Sequence, residues 1–211
     1  MTEQKEHLEA IKDIRSMMER SSRFISLSGL SGIFAGLFAL CGAYAAYLEF
    51  RTYDSMDYNE LYLNSSPPYT HLSISLAMIA SIVLFSSITG GVFLTIRNSK
   101  RKGIKVWDAA SKRLLINLLI PLVSGGFFCL ILLLHGLIGL VAPATLLFYG
   151  LALINASKYT FNDIRYLGLC EIVLGLAASV FMGYGLLFWA IGFGLLHIIY
   201  GTVMYFKYER D

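Results

Sequence analysis

RYLGLCEIVLGLAASVFMGYGLLFWAIGFGLLHIIYGTVMYFK, residues 165–207, holds two apolar runs joined by a Gly-rich turn at Met182, Gly183, Tyr184 and Gly185. Each run carries one ionisable residue among small ones. In the first, Gly168, Glu171, Gly175 and Ala178 recur at i, i+3, i+7 and i+10, so a helix places the carboxyl group on one flat face. In the second, Ala190, Gly194, His197 and Gly201 are expected to share a face in the same way. Small residues at this spacing let helix backbones approach closely in lipid, and a polar side chain among them turns toward protein or water. The stretch therefore reads as a transmembrane hairpin with a polar interior.

The composition of the whole chain agrees with that reading. Of 211 residues, 56% are hydrophobic and 15% charged, against about 25% charged in ordinary soluble domains. Mean hydropathy is +0.64. The expected fold is all-α, a polytopic membrane bundle of six transmembrane helices preceded by a short amphipathic cytoplasmic helix. The spans are expected near 24–48, 71–96, 114–134, 140–156, 165–182 and 186–206, with 207–211 as a cytoplasmic tail. In residues 1–23, Leu8, Ile11, Ile14 and Met18 gather on one side of a helix while acidic and basic residues nearly cancel. That balance argues against strong attraction to anionic lipid. Because a charged and polar stretch precedes the first apolar run, that run is expected to be an uncleaved anchor.

Charge distribution sets the expected orientation. Every lysine and arginine except Arg51 falls in the N-terminal segment, the 97–113 connection, the 158–165 connection or the C-terminal end. By the positive-inside rule both termini lie in the cytoplasm, as in a bacterial inner membrane, and the 49–70 loop lies outside. That loop is acidic and tyrosine-rich, with Glu49, Asp54, Asp57 and Glu60 beside Tyr53, Tyr58, Tyr62 and Tyr69. The basic 97–113 connection resembles a nucleic-acid patch in composition, but topology accounts for it, and no nucleic-acid partner is expected. Its lysines can meet anionic headgroups.

Glu171 leads the candidate chemistry, because a carboxyl group within a span is costly and by default marks function. It lies about 9 Å in from Arg165, whereas His197 lies about 15 Å in from Lys207, at 1.5 Å per residue. A direct pair is thus not automatic, and Tyr200 or water is a conceivable bridge. Ser31, Asn117 and Asn155 fall in the same cytoplasmic half and complete the candidate ligand or proton site with Glu171, His197 and Tyr200. Gly32, Gly36, Gly168, Gly175, Gly194 and Gly201 are the expected helix-packing glycines. His71 and His135 sit at the outer ends of adjacent spans, where a shared metal is conceivable, but no ligand spacing of a known metal or haem site accompanies them. Neither a metal nor a cofactor is expected. Cys41, Cys129 and Cys170 all lie in apolar runs and read as packing residues.

No nucleophile motif, Walker loop or dinucleotide fingerprint occurs, which disfavours an enzyme. The expected function is a non-enzymatic sensor, regulatory or assembly module with a polar cavity in the cytoplasmic half. Besides the lipid bilayer, its expected partners are a cytoplasmic protein met through residues 2–22 and 97–113, or further copies of itself. The alternative is a small transporter or channel linked to a proton, cation or small ligand and working as an oligomer.

Overall fold

The computed structural model describes His7 and residues 28–54, 68–103 and 106–209. Apart from His7, the amphipathic segment expected at 1–23 lies outside the described residues, as does the centre of the 49–70 loop. Among those described, the chain is helical with no strand. The long helices are α1 (Gly29–Asp54), α2 (Pro68–Arg101), α3 (Ala109–Leu134), α4 (Val141–Ala156), α5 (Asp163–Val180) and α6 (Gly185–Tyr208). All but α5 belong to segments long and apolar enough to cross a membrane, consistent with an integral membrane protein. The exception, α5, is 18 residues long and carries Asp163, Arg165 and Glu171.

Several helices run past their apolar cores. The expected first span ends at residue 48, yet α1 continues through Glu49, Phe50, Arg51 and Thr52 to Asp54. Polar residues end a hydrophobic run, but Glu49 and Arg51 are good helix formers and no proline or glycine interrupts the backbone there. Pro68 opens α2 at a position where its missing N–H is no loss. The connection after α2 contains Gly103 with φ 63°, a backbone conformation that glycine adopts without a Cβ clash. Asp108 opens α3 with a capping box, its side chain accepting from the Ser111 amide while the Ser111 hydroxyl accepts from the Asp108 amide. A tight turn with Gly136 at φ 71° joins α3 to the 3₁₀ turn Ile138–Leu140 before α4.

In space, α2 packs on α1 and α3 on α4, while the most extensive pairings are α1 with α6 and α4 with α5. Glycines bring the backbones together. A Cβ on Gly150 of α4 would meet the Gly168 carbonyl oxygen at 2.6 Å, and one on Gly168 would meet that of Gly150 at 2.8 Å. Gly175 abuts Leu147 and Pro143 farther along the same seam. Between α1 and α6, Gly32 and Gly36 meet Gly201 and Gly194. Leu153, Ile164, Leu167 and Met204 form a buried apolar cluster where α4, α5 and α6 converge. The outward faces of α2 and α3 expose Ile82, Phe85, Phe93, Ile116, Ile120 and Phe127. A continuous apolar surface of that kind suits a lipid solvent and not water.

One element departs from the expected regular helix. Within α6, Ala190–Leu196 is π-helical, flanked by α-helical Gly185–Trp189 and His197–Tyr208. The single face expected for Ala190, Gly194, His197 and Gly201 is divided between neighbours. Gly194 and Gly201 face α1, against Leu40 and against Gly29 and Ile33, whereas the His197 ring meets α4 and α5.

Candidate functional site

The π-helical turn governs the site. His197 follows Gly192 by five residues, and its Nδ1 lies 2.9 Å from the Gly192 carbonyl oxygen. A carbonyl only accepts, so Nδ1 carries the hydrogen. In the neutral imidazole Nε2 is then the acceptor, and the Tyr149 hydroxyl of α4 donates to it at 2.7 Å. Aromatic rings enclose the imidazole. Tyr149 and Phe193 have centroids 5.3 and 5.9 Å from the ring, and Trp189 stands 5.0 Å from Phe193.

Glu171 reaches this group from α5 and is 0% exposed. Its Oε1 lies 3.5 Å from His197 Nδ1, an electrostatic contact too long for a good hydrogen bond. Neither carboxyl oxygen has a hydrogen-bond partner among the described residues. Gly192 creates the space the carboxyl group occupies, since a Cβ there would stand 2.5 Å from Oε2 and 2.6 Å from Leu146 Cδ2. One residue of the π segment therefore binds the histidine through its carbonyl and admits the glutamate through its missing side chain. A buried carboxyl group without a donor is among the costlier arrangements a protein holds.

The other residues named from the sequence have different partners. Tyr200 packs against the apolar cluster of Leu153, Ile164, Leu167 and Met204. The Asn155 side-chain amide donates to the Asn117 carbonyl at 2.9 Å, tying α4 to α3, while the Asn117 amide donates back to Arg113 within α3. The Ser31 hydroxyl donates to the Ser28 carbonyl. His135 Nδ1 contacts the Ile131 carbonyl of its own helix, and His71 is exposed. Among the described residues, no three or more His, Cys, Asp or Glu side chains assemble into a group able to hold a metal ion.

A second polar cluster joins the start of α1 to the end of α6. Glu209 accepts from the Gly29 amide and, at 3.2 Å, from the Ser28 hydroxyl. Asp163, at the start of α5, takes the Lys207 ammonium at 2.9 Å and the Tyr208 hydroxyl at 2.7 Å. Partial burial pushes the Asp163 carboxyl up, but the Tyr208 hydroxyl and the Lys207 ammonium more than offset this and hold it below the ordinary carboxylate range. Lys102 closes the cluster by donating to the Tyr208 carbonyl at 3.0 Å.

Sequence reasoning missed Tyr149, Gly192 and Glu209. Tyr149 is the one phenol within α4, a usable signal. Gly192 becomes visible only through the π register, because five-residue spacing does not return to the same face of an α-helix. Comparison with protein families, with curated proteins and with solved structures finds no match to this chain.

Proposed function

We propose that this chain is a six-span membrane protein acting as a non-enzymatic sensor or regulatory module, with Glu171, His197 and Tyr149 as its sensing element. In this reading α5 is the sixth span and crosses with its one deep carboxyl group turned inward. Both termini, the 97–113 connection and the end of the bundle holding Asp163 and Glu209 face the cytoplasm, as in a bacterial inner membrane, where basic residues collect. Residues 2–22 and 97–113 are the surfaces offered to a cytoplasmic partner, and the apolar faces of α2 and α3 meet lipid or further copies. The observation that carries the reading is Glu171 itself, wholly enclosed with neither oxygen hydrogen-bonded among the described residues. Such a group is retained against its cost when its occupancy or charge is used.

A second reading, a proton- or cation-linked transporter, draws on the same carboxyl group, because intramembrane carboxyls are also the relay groups of transport pathways. Purified protein in liposomes separates the two. Trp189 lies beside the site, and Trp107→Phe leaves it the sole tryptophan of the two in the chain. A sensor gives a Trp189 fluorescence response to pH or ions that Glu171→Gln removes, with flux no greater than in empty vesicles. Flux that requires Glu171 establishes the transporter reading in its place.

A further inference from the structure

The packing around Glu171 narrows what the site can receive. On one side, Gly192 approaches Oε2 so closely that a single methyl group would not fit. On another, Leu146, itself 0% exposed, presents an apolar methyl to the same space. A hard cation gathers several oxygen ligands, but the nearby Gly192 carbonyl is engaged by His197 Nδ1. Nδ1, 3.5 Å from Oε1 and with its N–H held on that carbonyl, is a donor and gives a cation no ligand. An organic ligand would have to displace Leu146 or the backbone of Gly192.

The distances also distinguish between charge states. An imidazolium beside a carboxylate forms a charge-assisted bond near 2.7–2.9 Å. Here Nδ1 keeps 2.9 Å to an uncharged carbonyl and stands 3.5 Å from Glu171 Oε1. That is not the geometry of an imidazolium–carboxylate pair, and it fits an imidazole that stays neutral. Among the described residues, Tyr149 is the titratable group facing the pair from α4. On α6, Tyr200, Lys207 and Tyr208 follow His197, and Asp163 at the start of α5 meets the last two.

We propose that the Glu171 site takes a proton, and neither a metal ion nor an organic ligand. The Glu171 carboxylate gains the proton as an O–H bond, and His197 stays neutral, its Nδ1–H on the Gly192 carbonyl and its Nε2 accepting from Tyr149. The proton comes from hydronium in the bulk solution, whose O–H bond breaks to leave water as the carboxyl O–H forms, and the step removes one buried negative charge. This inference rests on the reading of the site as the sensing element and specifies what it senses.

Infrared difference spectroscopy of the full chain in lipid, with glutamate carboxyl carbons ¹³C-labelled, tests it. The expected result is a glutamic-acid C=O band that appears and disappears with pH, is absent in Glu171→Gln, and is unmoved when sodium, potassium or calcium is exchanged at constant ionic strength. Should Glu171→Gln fail to fold, Glu171→Asp carries the assignment, because its band loses the glutamate isotope shift. A band displaced by one cation, or a Glu171 carboxylate that never becomes an acid while the histidine ring titrates, overturns the proposal. A titrating band without any Trp189 response leaves the proton site standing and removes the sensor reading, so the two fail separately.

Discussion

The carboxylate of Glu209 accepts a hydrogen bond from the backbone amide of Gly29, 180 residues earlier in the chain. The first turn of α1 has amides with no partner inside the helix, and this one is satisfied by the turn that follows α6. Removing the acceptor should resemble the loss of an N-cap, about 1 kcal/mol. Glu209→Ala is expected to lower the melting temperature in detergent and to speed amide exchange in the first turn of α1, with little change in α3. Unchanged exchange at Gly29 would show that the cap does not form in the membrane.

Glycines in contact and glycines in open space should respond in opposite ways. A Cβ on Gly201 would stand 2.6 Å from both the Gly29 carbonyl oxygen and the Ile33 amide nitrogen, backbone atoms that cannot swing aside. Gly201→Ala should therefore destabilise the bundle by about 1–3 kcal/mol. Gly126 has nothing within 4 Å of its would-be Cβ. Gly126→Ala should be neutral or stabilising, by up to about 1 kcal/mol. Thermal melting of both variants decides, and equal effects would refute the close approach of α1 and α6.

Tyr149→Phe removes a hydroxyl and leaves His197 Nε2 buried without its donor. The expected loss is about 1–3 kcal/mol. Nitrogen-15 chemical shifts of the His197 ring, which report tautomer directly, should move in this variant. If the Nε2 shift is the same in both proteins, the Tyr149 hydroxyl is not its partner.

Asp163 sets a pH dependence of known sign. Its folded carboxyl is held below the ordinary range by Tyr208 and Lys207. The stabilisation is therefore fully present above the unfolded-state value and lost as pH falls through the folded one. Melting temperatures of parent and Asp163→Asn should differ at neutral pH and converge on acidification. A gap that persists into acid would mean that the ionised carboxylate is not what holds the end of α6 to α5. Because the Lys207 side chain is half exposed, salt should narrow the gap as well.

What could be read from the sequence follows the rules of helical period and hydropathy. The apolar runs, their length and the small-residue spacing in α1, α5 and α6 are properties of neighbouring residues along one chain, and so is the presence of a carboxyl group on the small-residue face of α5. Helix ends were less legible. Glu49, Arg51, Lys100 and Arg101 mark where hydropathy falls, but each is a competent helix residue and the helices include them.

By itself the sequence determined that the chain is helical, that its helices are apolar enough for a bilayer, and that α5 carries one carboxyl group deep among small residues. Only the tertiary structure decided what that carboxyl group meets. The π turn at Ala190–Leu196 brings the Gly192 carbonyl, five residues earlier, onto His197 Nδ1, and the ring so held meets Tyr149 and Glu171. Such a turn lacks the residue-by-residue signature that proline or glycine gives a break. It persists where contacts across helices repay the irregular backbone, and here those contacts come from Gly192, packed on Glu171, and from the His197 ring held between α4 and α5.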